Sequence, residues 1–324
     1  MSAYEFENQE FTSFSVVNPN KSTWASTASS IVPPNVSTAI VTPGNKPGQI
    51  NYKSLLRSRG IQDGKMFTLT SAIGTQVGVH VYEPSPETAI DVLVIFFHGN
   101  VRPTRYNPDI IKPFLKCGAT VVGRDLPGYD QSSFVPNSPG SVELASIAND
   151  EVFMKWALKT YKTHRIVLCG RSMGTFSWAN RLSHPRVVGA IGIVPLHSVS
   201  SLIRPIIEKR YSELVANSLA SFSVLGFFES MVDAIYPANC YSENLEGFTT
   251  KGFRFTEFDS SVSGKRVTLI PAEGDSTVPK AAADEIKTML EASGVDVRIQ
   301  PIGGEHNALP TTDQFREAFE RILR

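Results

Sequence analysis

The stretch "LCGRSMGTFS", residues 168–177, sets Ser172 between Gly170 and Gly174 directly behind an apolar run, "RIVLC". A serine hydroxyl is a weak nucleophile at neutral pH and needs a base within hydrogen-bond reach. At the apex of a sharp strand-to-helix turn its oxygen projects from the sheet edge, and the close approach of the chain to itself leaves room only for glycine on either side. G-x-S-x-G alone is a weak pattern. Here a buried strand precedes it and "TFSWANRL" continues as a helix, whose amino end favours developing negative charge. Ser172 is therefore a candidate nucleophile. Three further apolar runs also end in polar chemistry: "FFHGN", "PAEGDSTVP" and "GGEHNALP".

The base is expected from a later strand end. His306 follows two glycines that let its loop fold back over the sheet, and an imidazole titrating near neutrality can take the serine proton and return it. His197, which also ends a strand, is its competitor. His80 lies in an early hairpin, His164 precedes a strand and His184 follows the helix after Ser172. The imidazole needs a carboxylate to hold its tautomer. Asp275 closes "VTLIPAEGD" and gives the chain order Ser, Asp, His. Glu273 is the alternative acid, and Asp275 would also serve as a plain helix cap. Two backbone donors are needed for an oxyanion. The amide of Met173 supplies one and that of Asn100 the other, with Gly99 allowing close approach and His98 bracing the loop. No His, Asp or Cys cluster has metal-ligand spacing, so neither a metal nor another cofactor is expected.

The elements that must position these residues alternate. "KMFTLTSAIGTQVGVHVYEP" reads as a hairpin bent at Gly74. "DVLVIFF", "ATVVGR", "RIVLC" and "VVGAIGI" are continuous apolar runs, as expected of parallel strands covered on both faces. Between them "SVELASIANDEVFMKWALKTY" sets Leu144, Ala148, Val152 and Trp156 on one helical face. Strand "KRVTLIP", helix "VPKAAADEIKTMLEASG", strand "VDVRIQP" and helix "TTDQFREAFERILR" complete the order. This predicts an α/β fold with a doubly wound, mainly parallel sheet. From about 198 to 263 the alternation stops. Apolar helices, including Phe227, Phe228 and Met231, are expected to cap the sheet there. Residues 1–50 are rich in Ser, Thr, Asn and Pro and predict a flexible, low-complexity arm ahead of a domain at 51–324.

Composition excludes several classes. The chain of 324 residues carries 31 basic and 31 acidic residues, so no global field draws in nucleic acid or an anionic membrane. "KTYKTHR" reads as a solvated helix end. Cys117, Cys169 and Cys240 are odd in number and widely spaced, which suits a reducing compartment. The acidic start "MSAYEFENQEF" lacks the features of a secretory signal, and no segment is apolar enough to span a membrane. A cytoplasmic protein is expected, with export through the arm as the alternative. Nothing in the sequence supports membrane-surface contact through the cap or sets an oligomeric state.

"HGN", "DLPGYDQS", "GRSMG", "GDSTVP" and "GGEHN" resemble the α/β-hydrolase superfamily over about residues 65–324, in its esterase, lipase and acyl-thioesterase branch with a helical cap. The resemblance implies Ser172 as nucleophile, Asp275 as acid and His306 as base. "AEGD" stands where the family often has "HGxxD", and Glu305 precedes the histidine. The expected activity is cofactor-independent hydrolysis of a carboxylic ester or thioester with a hydrophobic acyl group, through an acyl-enzyme on Ser172. Phe227, Phe228 and Met231 are the expected substrate lining. An amide or peptide hydrolase, or a protein deacylase, would use the same triad. A non-catalytic binding or effector protein on this fold is the reading from another class, and the intact Ser, Asp and His set argues against it.

Overall fold

The computed structural model describes residues 52–62, 64–99, 102–133, 141–179, 181–197, 242–243, 249–250, 258 and 260–324. The arm at 1–50, Asn100, Cys240, the helices expected to form the cap, and with them Phe227, Phe228 and Met231, lie outside the described residues.

The described residues form ten strands: β1 (Lys65–Thr70), β2 (Gln76–Tyr82), β3 (Val92–Phe97), β4 (Thr120–Arg124), β5 (Arg165–Arg171), β6 (Val187–Ile193), β7 (Ser242–Glu243), β8 (Thr249–Thr250), β9 (Arg266–Ile270) and β10 (Asp296–Ile299). Eight form one sheet in the order β1-β2-β4-β3-β5-β6-β9-β10. β1 and β2 form the expected hairpin, with Gly74 left-handed in its loop. β2 meets β4 antiparallel, and every pairing from β4 onward is parallel. β7 and β8 pair only with each other, inside the segment read as a cap.

The α-helices among the described residues are α1 (Tyr52–Ser58), α2 (Pro108–Lys116), α3 (Ser141–Thr160), α4 (Gly174–Ala179), α5 (Lys280–Ala292) and α6 (Thr312–Leu323). The pleat of β3 shows why its run is apolar throughout. Leu93, Ile95 and Phe97 join one core with Phe153 of α3, Phe176 of α4 and Ile286 of α5. Val94 and Phe96 join another with Phe114 of α2 and Phe315 of α6. Side chains alternate between faces, so a strand covered on both must be apolar at every position. Among the described residues no helix is long and apolar enough to cross a membrane.

α3 buries Ala148 and Trp156 of the apolar face expected for it, but it is covered on more than that face. Val152 is only half-buried, whereas Asn149, Asp150 and Glu151 are buried along with Phe153, Met154 and Ala157. The polar side is buried because charge meets it there. Asp150 Oδ1 accepts from Arg124 at the end of β4, and Asp150 Oδ2 lies 3.3 Å from Arg181 Nη2. Both guanidinium groups also grip α4: Arg124 Nη2 donates to Ser177 Oγ at 3.2 Å and Arg181 Nη1 to the Ser177 carbonyl at 2.7 Å. The Phe97 ring lies 5.9 Å from each guanidinium carbon. Burial pushes the neighbouring Glu151 carboxyl up to about 7, against the pull of Arg181 and helped by Asp150.

Removing one partner of a buried charge network leaves the others uncompensated. Asp150→Asn is therefore expected to destabilise the fold by about 3–5 kcal/mol in urea unfolding. A loss below about 1 kcal/mol would mean that the two arginines find other partners.

Candidate functional site

Ser172 occupies the turn between β5 and α4 with φ of 49°, the left-handed region that non-glycine residues rarely enter. The glycines on either side make the turn sterically feasible. A Cβ on Gly174 would run into the Phe97 carbonyl and come within 2.9 Å of the His98 oxygen. One on Gly170 would meet the Gly174 carbonyl oxygen at 2.5 Å and the Trp178 ring. A Cβ on Gly99 would lie 3.3 Å from Ser172 Cβ, so the loop after β3 also abuts the turn.

Hydrogen bonds hold the strained residue. Its amide donates to the Ile193 carbonyl at 2.9 Å. Its carbonyl accepts from the Thr175 amide at 2.9 Å and the Thr175 hydroxyl at 2.6 Å. The same hydroxyl accepts from the Leu196 amide at 3.2 Å, which pins the turn to the end of β6. Val194, with φ of 43°, is left-handed there too, so two strained residues sit on adjacent strand ends. The amide of Met173 makes no backbone hydrogen bond among the described residues.

Asp275 and His306 come from loops after β9 and β10 and meet at 2.8 Å, Asp275 Oδ2 to His306 Nδ1. The side chain of Asp275 is fully buried and that of His306 is 22% exposed. Asp275 Oδ1 accepts from the amides of Thr277 and Val278, each at 2.8 Å. Burial opposes ionisation of Asp275, yet the hydrogen bond from His306 and those two amides outweigh it. The carboxyl is held below its usual range. An ionised carboxylate only accepts, so His306 Nδ1 is the donor of this bond. Glu273 is exposed and takes no part in this pair.

The turn and the paired loops are joined through Arg171, whose Nη2 donates to the His306 carbonyl at 3.3 Å and to Asn307 Oδ1 at 3.1 Å. Among the described residues no hydrogen bond forms between Ser172 Oγ and His306 Nε2, and the His306 ring is engaged at Nδ1. Such contacts often tighten only when substrate arrives. His197 is directed elsewhere. Its Nδ1 lies 3.1 Å from Glu285 Oε2 and its Nε2 3.3 Å from Met289 Sδ, both on α5. His164 and His184 precede β5 and β6 and so lie at the opposite end of the parallel strands.

Two buried polar centres underlie the loops. His98 Nδ1 donates to the Gly99 carbonyl at 2.6 Å while Nε2 accepts from the Leu126 amide at 2.8 Å, which makes it a neutral brace. His80 Nε2 pairs with Asp125 Oδ2 at 2.7 Å. Asp130 Oδ2 lies 3.7 Å from the same nitrogen and 2.7 Å from Arg105 Nε. Ligand-type atoms of His80, Asp125 and Asp130 fall within 4.8 Å of one another, a convergence that spacing in the sequence did not reveal. The Arg105 guanidinium already supplies positive charge there through its ion pair with Asp130, and Asp125 also accepts from the Thr104 amide at 2.9 Å. Cys169 is buried in the core and Cys117 half-buried, and burial raises both thiols.

The family model described as the alpha/beta hydrolase fold matches residues 92–240. No curated protein sequence matches the chain. Among solved structures, the Pyrococcus furiosus esterase Pf2001 is 15% identical with a TM-score of 0.57, over 88% of this chain and 96% of its own. An alpha-beta hydrolase from Vibrio vulnificus is 14% identical with a TM-score of 0.58, over 86% of each chain. Est1E from Butyrivibrio proteoclasticus is 16% identical with a TM-score of 0.51, over 80% of this chain and 98% of its own. At these identities the likeness is one of fold.

The His98 brace makes stability depend on pH. Burial lowers its pKa from 6.5 to about 4, opposed by Asp125 and by the bond to Gly99. Below the unfolded value the unfolded chain binds a proton that the native chain refuses. The stabilisation is therefore complete above pH 6.5 and lost as pH falls towards 4. Between pH 7 and pH 4 the wild type should lose about 3 kcal/mol more than His98→Gln in urea unfolding. Equal losses would show that His98 protonates in the native state.

Proposed function

We propose that this chain, whose residues 92–240 match the family model described as the alpha/beta hydrolase fold, is a cofactor-independent serine hydrolase cleaving a carboxylic ester or thioester. The observation that carries this reading is the Asp275–His306 hydrogen bond of 2.8 Å, at the sheet end where Ser172 is held left-handed. In the proposed reaction Ser172 Oγ attacks the acyl carbon as His306 Nε2 takes its proton. Asp275 keeps Nδ1 protonated and favours the imidazolium that forms. Collapse of the tetrahedral intermediate expels an alcohol or thiol, which recovers the proton from Nε2. Water, deprotonated by the same nitrogen, then attacks the acyl-enzyme and releases the carboxylic acid.

The unengaged amide of Met173 is the first oxyanion donor in this reading. The amide of Asn100, next to the close-approaching Gly99, is the second. Each such donor is worth about 100- to 1,000-fold in turnover. The apolar character of 198–263, with Phe227, Phe228 and Met231, supports a hydrophobic acyl group. That one of the similarly folded proteins, Pf2001, is an esterase by name agrees with an ester as the first substrate to try.

Hydrolysis of a p-nitrophenyl ester series and labelling by a fluorophosphonate are both expected, and both are expected to vanish in Ser172→Ala. Asp275→Asn should lower turnover by about 10,000-fold with the geometry retained. A loss of less than about tenfold would move the acid to another carboxylate. Turnover or labelling that survives in Ser172→Ala would remove the nucleophile assignment. A wild type that neither labels nor turns over any ester would be a binding protein on this fold.

A further inference from the structure

Arg171 ends β5 and is the direct neighbour of Ser172. Strand alternation sends it to the same side as Val167 and Cys169, which belong to the core beneath α2 and α6. The residue is 7% exposed, and its Nε is buried without a hydrogen-bond partner. Burial lowers its pKa, Arg102 adds to the effect and Asp275 opposes it. A guanidinium left partly unpaired in this way is a costly choice for stability, and an apolar side chain would fill the space more cheaply. What the charge does is visible in its two acceptors, the His306 carbonyl and Asn307 Oδ1.

Those acceptors belong to a loop that is already hydrogen-bonded to the Asp275 loop. The Glu273 amide donates to the Ile302 carbonyl and the Gly274 amide to the Gly304 carbonyl, each at 2.9 Å. The Asp275–His306 bond then locks acid to base. Nothing in these contacts sets the distance from those loops to Ser172. Among the described residues, Arg171 makes the hydrogen-bonded link between the Ser172 turn and the His306 loop.

We propose that Arg171 is a positioning residue, which sets the His306 ring over Ser172 by gripping the His306 carbonyl and the Asn307 side chain. The inference rests on the serine-hydrolase reading above. It does not ask Arg171 to touch substrate. Its effect is on the approach of Nε2 to Oγ, a geometry in which a displacement of about 1 Å costs on the order of 100-fold in rate.

The test is steady-state kinetics of the full chain on a short p-nitrophenyl ester, together with the rate of fluorophosphonate labelling. Arg171→Met should lower kcat by about 100-fold and slow labelling in step, with KM changed by less than about threefold. Arg171→Lys keeps a donor and the charge and should recover part of the loss. Asn307→Ala leaves the His306 carbonyl in place and should cost less than Arg171→Met. A kcat within about twofold of wild type in Arg171→Met overturns the proposal. So does a loss that appears in KM alone, or Arg171→Lys performing no better than Arg171→Met. If Arg171→Met fails to fold, unchanged kcat in both Arg171→Lys and Asn307→Ala overturns it. A wild type without turnover or labelling at Ser172 defeats the serine-hydrolase reading itself, whereas a labelled, active wild type with an indifferent Arg171 defeats this inference alone.

Discussion

The structure turns on one strained residue. A left-handed conformation costs Ser172 on the order of 1–3 kcal/mol, and it persists only where the surroundings leave no alternative. Here they do so from every side. Gly174 packs against the end of β3, the Ser172 amide and carbonyl are both bonded, and the Thr175 hydroxyl fixes the turn to β6. The short helix α4 is in turn clamped from below by Arg124 and Arg181 through Ser177. Relaxing the serine to an ordinary conformation would break several of these contacts at once, and that is why the strain is sustained.

The floor beneath the loops is unusually charged for a protein interior. Three buried centres lie there: Asp150 with Arg124 and Arg181, His80 with Asp125, and His98 between Gly99 and Leu126. The ionic ones are no cheap way to gain stability, since the desolvation of buried ions largely offsets their attraction. Directional bonds do something that apolar packing does not. Each fixes the position of a strand end or a loop relative to its neighbour, and the site proposed at these strand ends needs those positions fixed. The choice of Asp275 over Glu273 follows the same logic: two amides and an imidazole converge on the buried carboxylate, while Glu273 faces solvent.

Much of this was legible along the chain. Continuous apolar runs marked strands covered on both faces, because a side chain must be apolar wherever either face is core. The glycines around Ser172 marked a tight turn, because steric exclusion acts between residues near in sequence. The order of strand ends placed His306 and Asp275 at one rim, since parallel strands bring their carboxyl ends together. Each of these inferences depends on local geometry or on period, and local geometry is written in adjacent letters.

The partners of buried charge were not legible. Asp150 sits in the middle of a helix whose expected apolar stripe ran elsewhere, and it is buried because Arg124 and Arg181 reach it from a strand end and from beyond α4. His80 read as a hairpin residue, yet it pairs with Asp125, which directly follows β4 and stands 45 positions later. Arg171 read as the variable letter of a motif, yet its acceptors lie 135 and 136 positions further on. A long-range hydrogen bond carries no spacing rule, because the chain between the partners can take any length that its own elements require. Residue types and periods could therefore say where chemistry stands on the sheet. Only the folded arrangement could decide which charged groups face one another, since that is set by how the elements pack.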